Sequence, residues 1–593
     1  MTRTRERISR TFATSGGQNR WSTVAVAAIS CLALGSCGDK PNTHPIVHEL
    51  VLEAPPPESG SAGLLGGARL SHNEVLELLG DTATEKRVRG LLLHVGSMGS
   101  AFARVAELTR AIAAVKQANK PVHCHVRETD NAGYALLAEA CERISMTPAG
   151  VLNLVGVQVQ AIYARSLLER FGVHAEMLHA GRYKAAADIL TETDMPPTTR
   201  EAMLPVLDAL QDQILGAMEE GRSITRERGQ RLVDAGPYTA HAAHLAGLVD
   251  DVGFDDEARQ HLRKATDTDR VERVGERKSG EVSLSSLLKA LSGESSERPK
   301  EAYIRLVVLE GTIASKLGTM GNEGAVAAEF VPEMRALADD EACKGVALRI
   351  DSPGGSALAS DRMWHAVRRV AKKKPVFVSI GDMAASGGFY IASAGTRIFA
   401  EEASLVGSIG VVGGKVSVAG TASKLGVGIT QLKRGQNAAW TSPLSDLSDS
   451  EREAMRNLLD SVYRLFLRRV GQGRGMSHEQ VEPLAEGRLL IATEALAGKL
   501  IDEHGGLEET LSALRHELGV DERVEVSVWP GESTALGRLL SGNVEAQTAT
   551  VENRIGLNGL LELMDPEGRF AALHTLVAGE PMATALPYSL RIR

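Results

Sequence analysis

The sequence predicts an α/β fold written twice in tandem, with parallel strands joined by crossover helices. Three observations carry this reading. β-rich apolar runs alternate with segments whose apolar residues recur at helical spacing, the pattern that builds parallel sheets with right-handed crossovers. KPVHCHV from Lys120 and KPVFVSI from Lys374 match at a separation of 254 residues, and self-similarity at one spacing marks a repeat. A chain of 593 residues has room for about three to five domain-sized units, so two copies fit.

Composition narrows the classes of function. Hydrophobic residues at 43% and charged residues at 24% are ordinary for a folded globular chain. A net charge of −9 repels a phosphate backbone, and 4% aromatics leave few stacking platforms, so nucleic acid is not expected as a partner. The five cysteines, Cys31, Cys37, Cys124, Cys141 and Cys343, contain no C-x-x-C pair and no spacing that indicates a disulfide framework or a zinc site. His123 and His125 alternate on a strand, and His241 and His244 lie three apart on a helix, without a carboxylate or Cys pattern beside them. No metal and no cofactor is expected, and Cys124 reads as core.

Residues 1–36 read as an address. An Arg-rich start is followed by WSTVAVAAISCLALGSC, ending at Cys37. This apolar run is short for a bilayer span and ends in small residues before a cut site, which describes a secretory signal peptide. Leu34-Gly35-Ser36-Cys37 resembles the lipobox of bacterial lipoprotein signals, which implies acylation of Cys37, a tether over 37–45 and membrane attachment by lipid. The body is then expected outside the cytoplasm, on the periplasmic side of the cell envelope. An uncleaved transmembrane helix is the alternative, and inner against outer membrane stays open.

The earlier repeat is placed at 46–266 and the later at 301–530. Between them a polar linker at 267–300 is interrupted by SLSSLLKAL, read as a short helix, and 531–593 is an extension without assignment. Arg143-Ile144 recurs as Arg397-Ile398, and LAGLVD from Leu245 recurs as LAGKLID from Leu496. In the later repeat IRLVVLEG, KGVALRID and PVFVSI read as strands, and ALASDRMWHAVRRVAKK as an amphipathic helix.

The copies differ where chemistry would sit. The strand ending at Asp351 runs into SPGGS, a Gly-rich turn opening a helix, where backbone N–H groups are natural donors to an oxyanion. The earlier repeat has SMGS there, at 97–100. The next strand ends in GDMAASGGFYIASA, which places Ser386 where strand gives way to helix, and the counterpart of Ser386 is Ala132. Lys184, in GRYK, maps to Ala438. Each copy keeps a group the other has lost, so the survivors are expected to serve one site between them.

With these residues in view, the layout resembles the long, two-repeat form of the signal peptide peptidase A (protease IV) family, membrane-bound bacterial Ser-Lys peptidases of the Clp-protease/crotonase superfamily. The resemblance runs over about Ile46 to Val528 and rests on R-I-D-S-P-G-G-S, D-M-A-A-S-G-G-F-Y-I-A-S-A, G-S-I-G-V and G-R-Y-K-A-A. It implies Ser386 as nucleophile and Lys184 as general base, with an oxyanion hole from the N–H of Gly387 and of the Gly354-Gly355 turn. Ser408 stands where related short forms keep a hydroxyl that hydrogen-bonds the base. It further implies a homotetramer acting on cleaved signal peptides and other hydrophobic peptides. Serine needs an adjacent base, and lysine can be one only if burial lowers its pKa, for which Ala185, Ala186, Ala187, Ile189 and Leu190 are suitable surroundings. Two other readings stand beside it: a crotonase-like acyl-CoA enzyme and a catalytically inactive membrane scaffold.

Overall fold

The structure is a computed structural model, which describes residues 44–60, 69–275, 298–315, 324–530 and 582–585. Cys37, the signal peptide and the SLSSLLKAL segment lie outside the described residues. Among the described residues, no helix is long and apolar enough to cross a membrane.

The apolar runs of the earlier repeat become strands covered by helices. They are β1 (Ile46–Leu52), β2 (Val88–Val95), β3 (Val122–Asp130), β4 (Arg143–Asn153), β5 (His174–Ala180), β6 (Tyr238–Thr239), β7 (Asp251–Val252) and β8 (Val271–Val274). The sheet order is β6-β4-β3-β2-β1-β8, with β7 beside β4. The β1–β2, β2–β3, β3–β4 and β1–β8 ladders are all parallel. VRGLLLHV is buried at all but one position because both faces of β2 are covered.

The later repeat repeats the plan. Its strands are β9 (Tyr303–Glu310), β10 (Cys343–Ser352), β11 (Gly354–Ser356), β12 (Val376–Ala385), β13 (Arg397–Ala400), β14 (Leu405–Gly407), β15 (Val411–Ser417), β16 (Leu489–Ile491), β17 (Glu503–His504) and β18 (Glu525–Trp529). Their order is β16-β14-β12-β10-β9-β18, with β13 pairing β12 and β17. Corresponding helices have equal lengths: Pro197–Arg222 and Asp449–Arg474 have 26 residues each, Asp255–Thr266 and Leu507–Leu518 have 12 each. Local signals set their ends. Ser448 and Glu451 form a capping box at the start of the second long helix, and Gly475 closes it in the left-handed conformation.

The repeats do not stand apart. Residues from Ile46 onward belong to one compact body, and one core cluster takes in Leu91, Phe102 and Leu137 together with Leu306, Phe377 and Leu507. Inside it, the fully buried Arg349 of the later repeat donates to Glu58 Oε1 (2.8 Å) and Oε2 (2.9 Å) and pairs with Glu107 Oε1 (2.8 Å), both carboxylates coming from the earlier repeat. A third sheet, in the order β11-β19-β15-β5, stitches the copies by strand pairing. β5 runs antiparallel to β15, from Ala180 opposite Val411 to His174 opposite Ser417.

Three features depart from the sequence reading. Val271–Val274, expected in the linker, is β8 and pairs with β1, so the chain leaves the earlier sheet later than the loss of apolar pattern indicates. Within the unassigned extension, Met582–Ala585 forms β19. Cys124 and Cys141, expected to be unpaired, form a disulfide with Cα atoms 5.8 Å apart. The partners lie 17 residues apart, on β3 and just past the helix Asn131–Ala140 that folds back on it. A strand-to-helix reversal brings them together, and no sequence spacing rule encodes that.

Candidate active site

β12 ends at Ala385, and the helix Gly387–Ala392 begins two residues later. Ser386 makes the whole turn between them, with φ 54° and ψ −110°, a backbone conformation that side-chain-bearing residues rarely adopt and that collects at functional sites. Its N–H donates to the Gly407 carbonyl at 2.6 Å, which ties the turn to β14. The hydroxyl is fully buried.

Lys184 arrives from the other repeat. β5 ends at Ala180, four residues before it, and β15 starts at Val411, three residues after Ser408, so the β5–β15 ladder carries the lysine to the serines. Lys184 Nζ lies 2.6 Å from Ser386 Oγ, 3.1 Å from Ser408 Oγ and 3.1 Å from the Ser408 carbonyl. The side chain is 2% exposed, and burial alone brings its pKa down from the ordinary lysine value to about 7. A neutral amine has two N–H groups and one lone pair. With both oxygens of Ser408 taking the N–H groups, the lone pair is left facing Ser386.

Close packing on the lysine needs glycine. A Cβ at Gly487, where φ is +80°, would lie 2.6 Å from the Lys184 backbone nitrogen, and one at Gly410 would lie 3.1 Å from Lys184 Cδ. Gly410 belongs to the G-S-I-G-V motif. Gly487 was not singled out in the sequence, and its only signal there is a glycine in the loop before β16.

The expected oxyanion donors surround the same point. Gly387 opens the helix, whose first N–H groups have no intrahelical acceptor. The SPGG turn packs on it so closely that a Cβ at Gly388 would lie 2.8 Å from the Ser352 carbonyl oxygen. The two glycines of that turn differ: Gly354 N–H donates to Ser352 Oγ at 3.2 Å, while Gly355 has a backbone pairing with Thr584 of β19.

The equivalent place in the earlier repeat is plugged. Ala132 replaces the serine, and the Asp130 carboxylate accepts the N–H groups of Met98 (3.1 Å), Gly99 (2.7 Å) and Gly133 (3.0 Å) and the Ser97 hydroxyl. Gly133 is the counterpart of Gly387. Ala438, the counterpart of Lys184, is exposed. Of the histidines considered for metal, His125 is occupied by Ser145 Oγ (2.9 Å) and Thr147 Oγ1 (3.0 Å).

Comparison with known proteins gives this arrangement its class. The Clp protease family model matches residues 315–407, the stretch that holds the SPGG turn and Ser386, and the α/β body is that of a serine peptidase. The model of peptidase family S49 matches twice, at residues 114–269 and 368–521, more than half of the chain. The chain belongs to peptidase family S49. It is 28% identical to the chloroplastic serine protease SPPA of Arabidopsis thaliana over 80% of this chain and 70% of that one. It is 26% identical to Protease 4 of Haemophilus influenzae over 78% and 75%, and 26% identical to Protease 4 of Salmonella typhi over 87% and 82%. The acyl-CoA enzyme and the inactive scaffold are thereby set aside.

Proposed function

We propose that this peptidase is a membrane-tethered endopeptidase with a Ser386–Lys184 dyad shared between its repeats, degrading cleaved signal peptides and other hydrophobic peptides. The observation that carries the reading is the 2.6 Å contact between Lys184 Nζ and Ser386 Oγ, with the amine buried and its pKa near 7. At neutral pH such an amine is uncharged in about half of the molecules, which suits a general base.

The chemistry follows from these positions. Ser386 Oγ attacks the scissile carbonyl carbon while its proton passes to Lys184 Nζ. The carbonyl electron pair moves onto oxygen, where the N–H groups of Gly387 and Gly355 receive it; Gly354 holds the turn through Ser352. The earlier repeat supports that assignment, because its equivalent N–H groups converge on a carboxylate oxygen of Asp130. Collapse of the tetrahedral species breaks the C–N bond, and the leaving amine takes the proton from Lys184. A water molecule then attacks the acyl ester, giving its proton to Lys184, and that proton returns to Ser386 as the acid leaves.

Attachment through a lipid on Cys37 and a location on the periplasmic side rest on the lipobox resemblance. The Cys124–Cys141 disulfide favours the same side, since such bonds persist in oxidising compartments. The exposed apolar side chains of Ile162, Leu167, Phe171, Leu425 and Leu432 fit burial between copies in a homotetramer.

A serine-directed fluorophosphonate probe tests the dyad. Labelling that disappears in Ser386→Ala and slows by orders of magnitude in Lys184→Met is the expected result. Labelling retained in Ser386→Ala would overturn it.

A further inference from the structure

β19 is the middle strand of the third sheet. Its backbone runs antiparallel to β11 on one side, with Ala583, Thr584 and Ala585 opposite Ser356, Gly355 and Gly354. On the other side Ala583 and Met582 lie opposite Val412 and Gly413 of β15. These two partners flank the Ser386–Lys184 pair. β11 continues the turn that packs on Gly388, and β15 continues the segment in which Ser408 and Gly410 touch Lys184. A strand laid between them crosses the mouth of the site.

We propose that the space between β11 and β15 is a slot for an extended peptide backbone, and that residues 582–585 of this chain are its resident occupant, a tethered pseudosubstrate. The proposal rests on the peptidase reading above and adds to it what the site binds and what covers it at rest. A middle strand is recognised through its main chain, because its N–H and C=O groups point to neighbours on both sides. The ligand class is therefore any peptide able to lie extended, with little demand on sequence. The sequence around β19 suits a short plug: Pro581 and Pro587 bracket it, and a proline, lacking an N–H, stops a ladder from running on. Ser386 is fully buried in this state, so a peptide can reach it only after the slot is vacated. Tethering keeps the occupant at high effective concentration, so even weak pairing holds the slot closed for most of the time.

The test uses the full-length protein, Ala583→Pro, and a chain ending at Gly579. Ala583 pairs on both sides, so proline there removes a donor from the centre of the ladder. With a short fluorogenic peptide, both variants should show a KM lower by about tenfold or more with kcat unchanged, because apparent affinity falls with the fraction of open slots. Both should also react faster with the serine probe at Ser386. A synthetic peptide of residues 578–590 should inhibit the truncated chain competitively. Equal KM and labelling rates in all three forms, with Ser386-dependent labelling intact, would overturn the proposal and leave the dyad standing. Absence of Ser386-dependent labelling in every form would instead overturn the dyad and this proposal with it.

Discussion

The Asp130 carboxylate accepts the N–H of Gly133 at 3.0 Å, in the earlier repeat's counterpart of the turn where Ser386 is followed by Gly387. One copy has thus placed a permanent negative charge where the other would collect a transient one. Asp130→Ala should cost about 2–3 kcal/mol of stability, since hydrogen bonds to a charged group contribute about 1.5–3 kcal/mol each and several are lost together. Thermal unfolding should show the fall in Tm, while kcat at a temperature where the variant is folded stays near wild type. A large loss of kcat in the folded variant would place this carboxylate in the chemistry after all.

Lys184 sets a pH dependence whose sign can be worked out. The amine must be neutral to take a proton, so kcat/KM should rise with pH through about 7 and level off above it. The folded pKa lies below the ordinary lysine value, so between about 7 and the unfolded value the unfolded chain binds more protons. Stability contributed by this group therefore rises with pH across that window, and its burial costs most below pH 7. Lys184→Met should remove that slope from the stability profile.

Ser408 holds two of the three contacts of the Lys184 amine. Ser408→Ala removes one acceptor of the ammonium, so the rising limb should move to lower pH and kcat should fall by about tenfold, within the usual range for mispositioning a general base. An unchanged pH–rate profile would show that the hydroxyl does not orient the base.

Arg349 neutralises two buried carboxylates from the other repeat. Burial drives the Glu107 carboxyl up, and the Arg349 and His72 charges more than offset this, holding it below the usual range. Arg349→Met leaves both acids without their cation, and breaking such a buried pair costs about 3–5 kcal/mol. Denaturant melts should show that loss, and adding Glu58→Gln and Glu107→Gln should recover part of it. No recovery would mean that shape, not charge, is what Arg349 supplies.

The Cys124–Cys141 bridge closes a 17-residue separation. By loop entropy this contributes about 3 kcal/mol. Cys141→Ser, or reduction of the wild type, should lower Tm accordingly and leave Ser386 labelling intact at permissive temperature.

What could be read from the linear chain was whatever short-range sterics and periodicity encode. Strand-to-helix turns at Ser386 and at the SPGG segment declare themselves through glycines and apolar runs, and the duplication through matched strings, so the fold class and the identity of the candidate groups were legible. The tertiary structure decided what lies near what. Lys184 and Ser386 are 202 residues apart, and they meet because β5 of one repeat adds to β15 of the other, a pairing that follows from packing the two copies into a shared core. Gly487 against Lys184, the Arg349 cluster, the disulfide and the β19 strand across the site were hidden for the same reason. Each depends on contacts between segments that are distant or reversed in the chain, and no local pattern carries them.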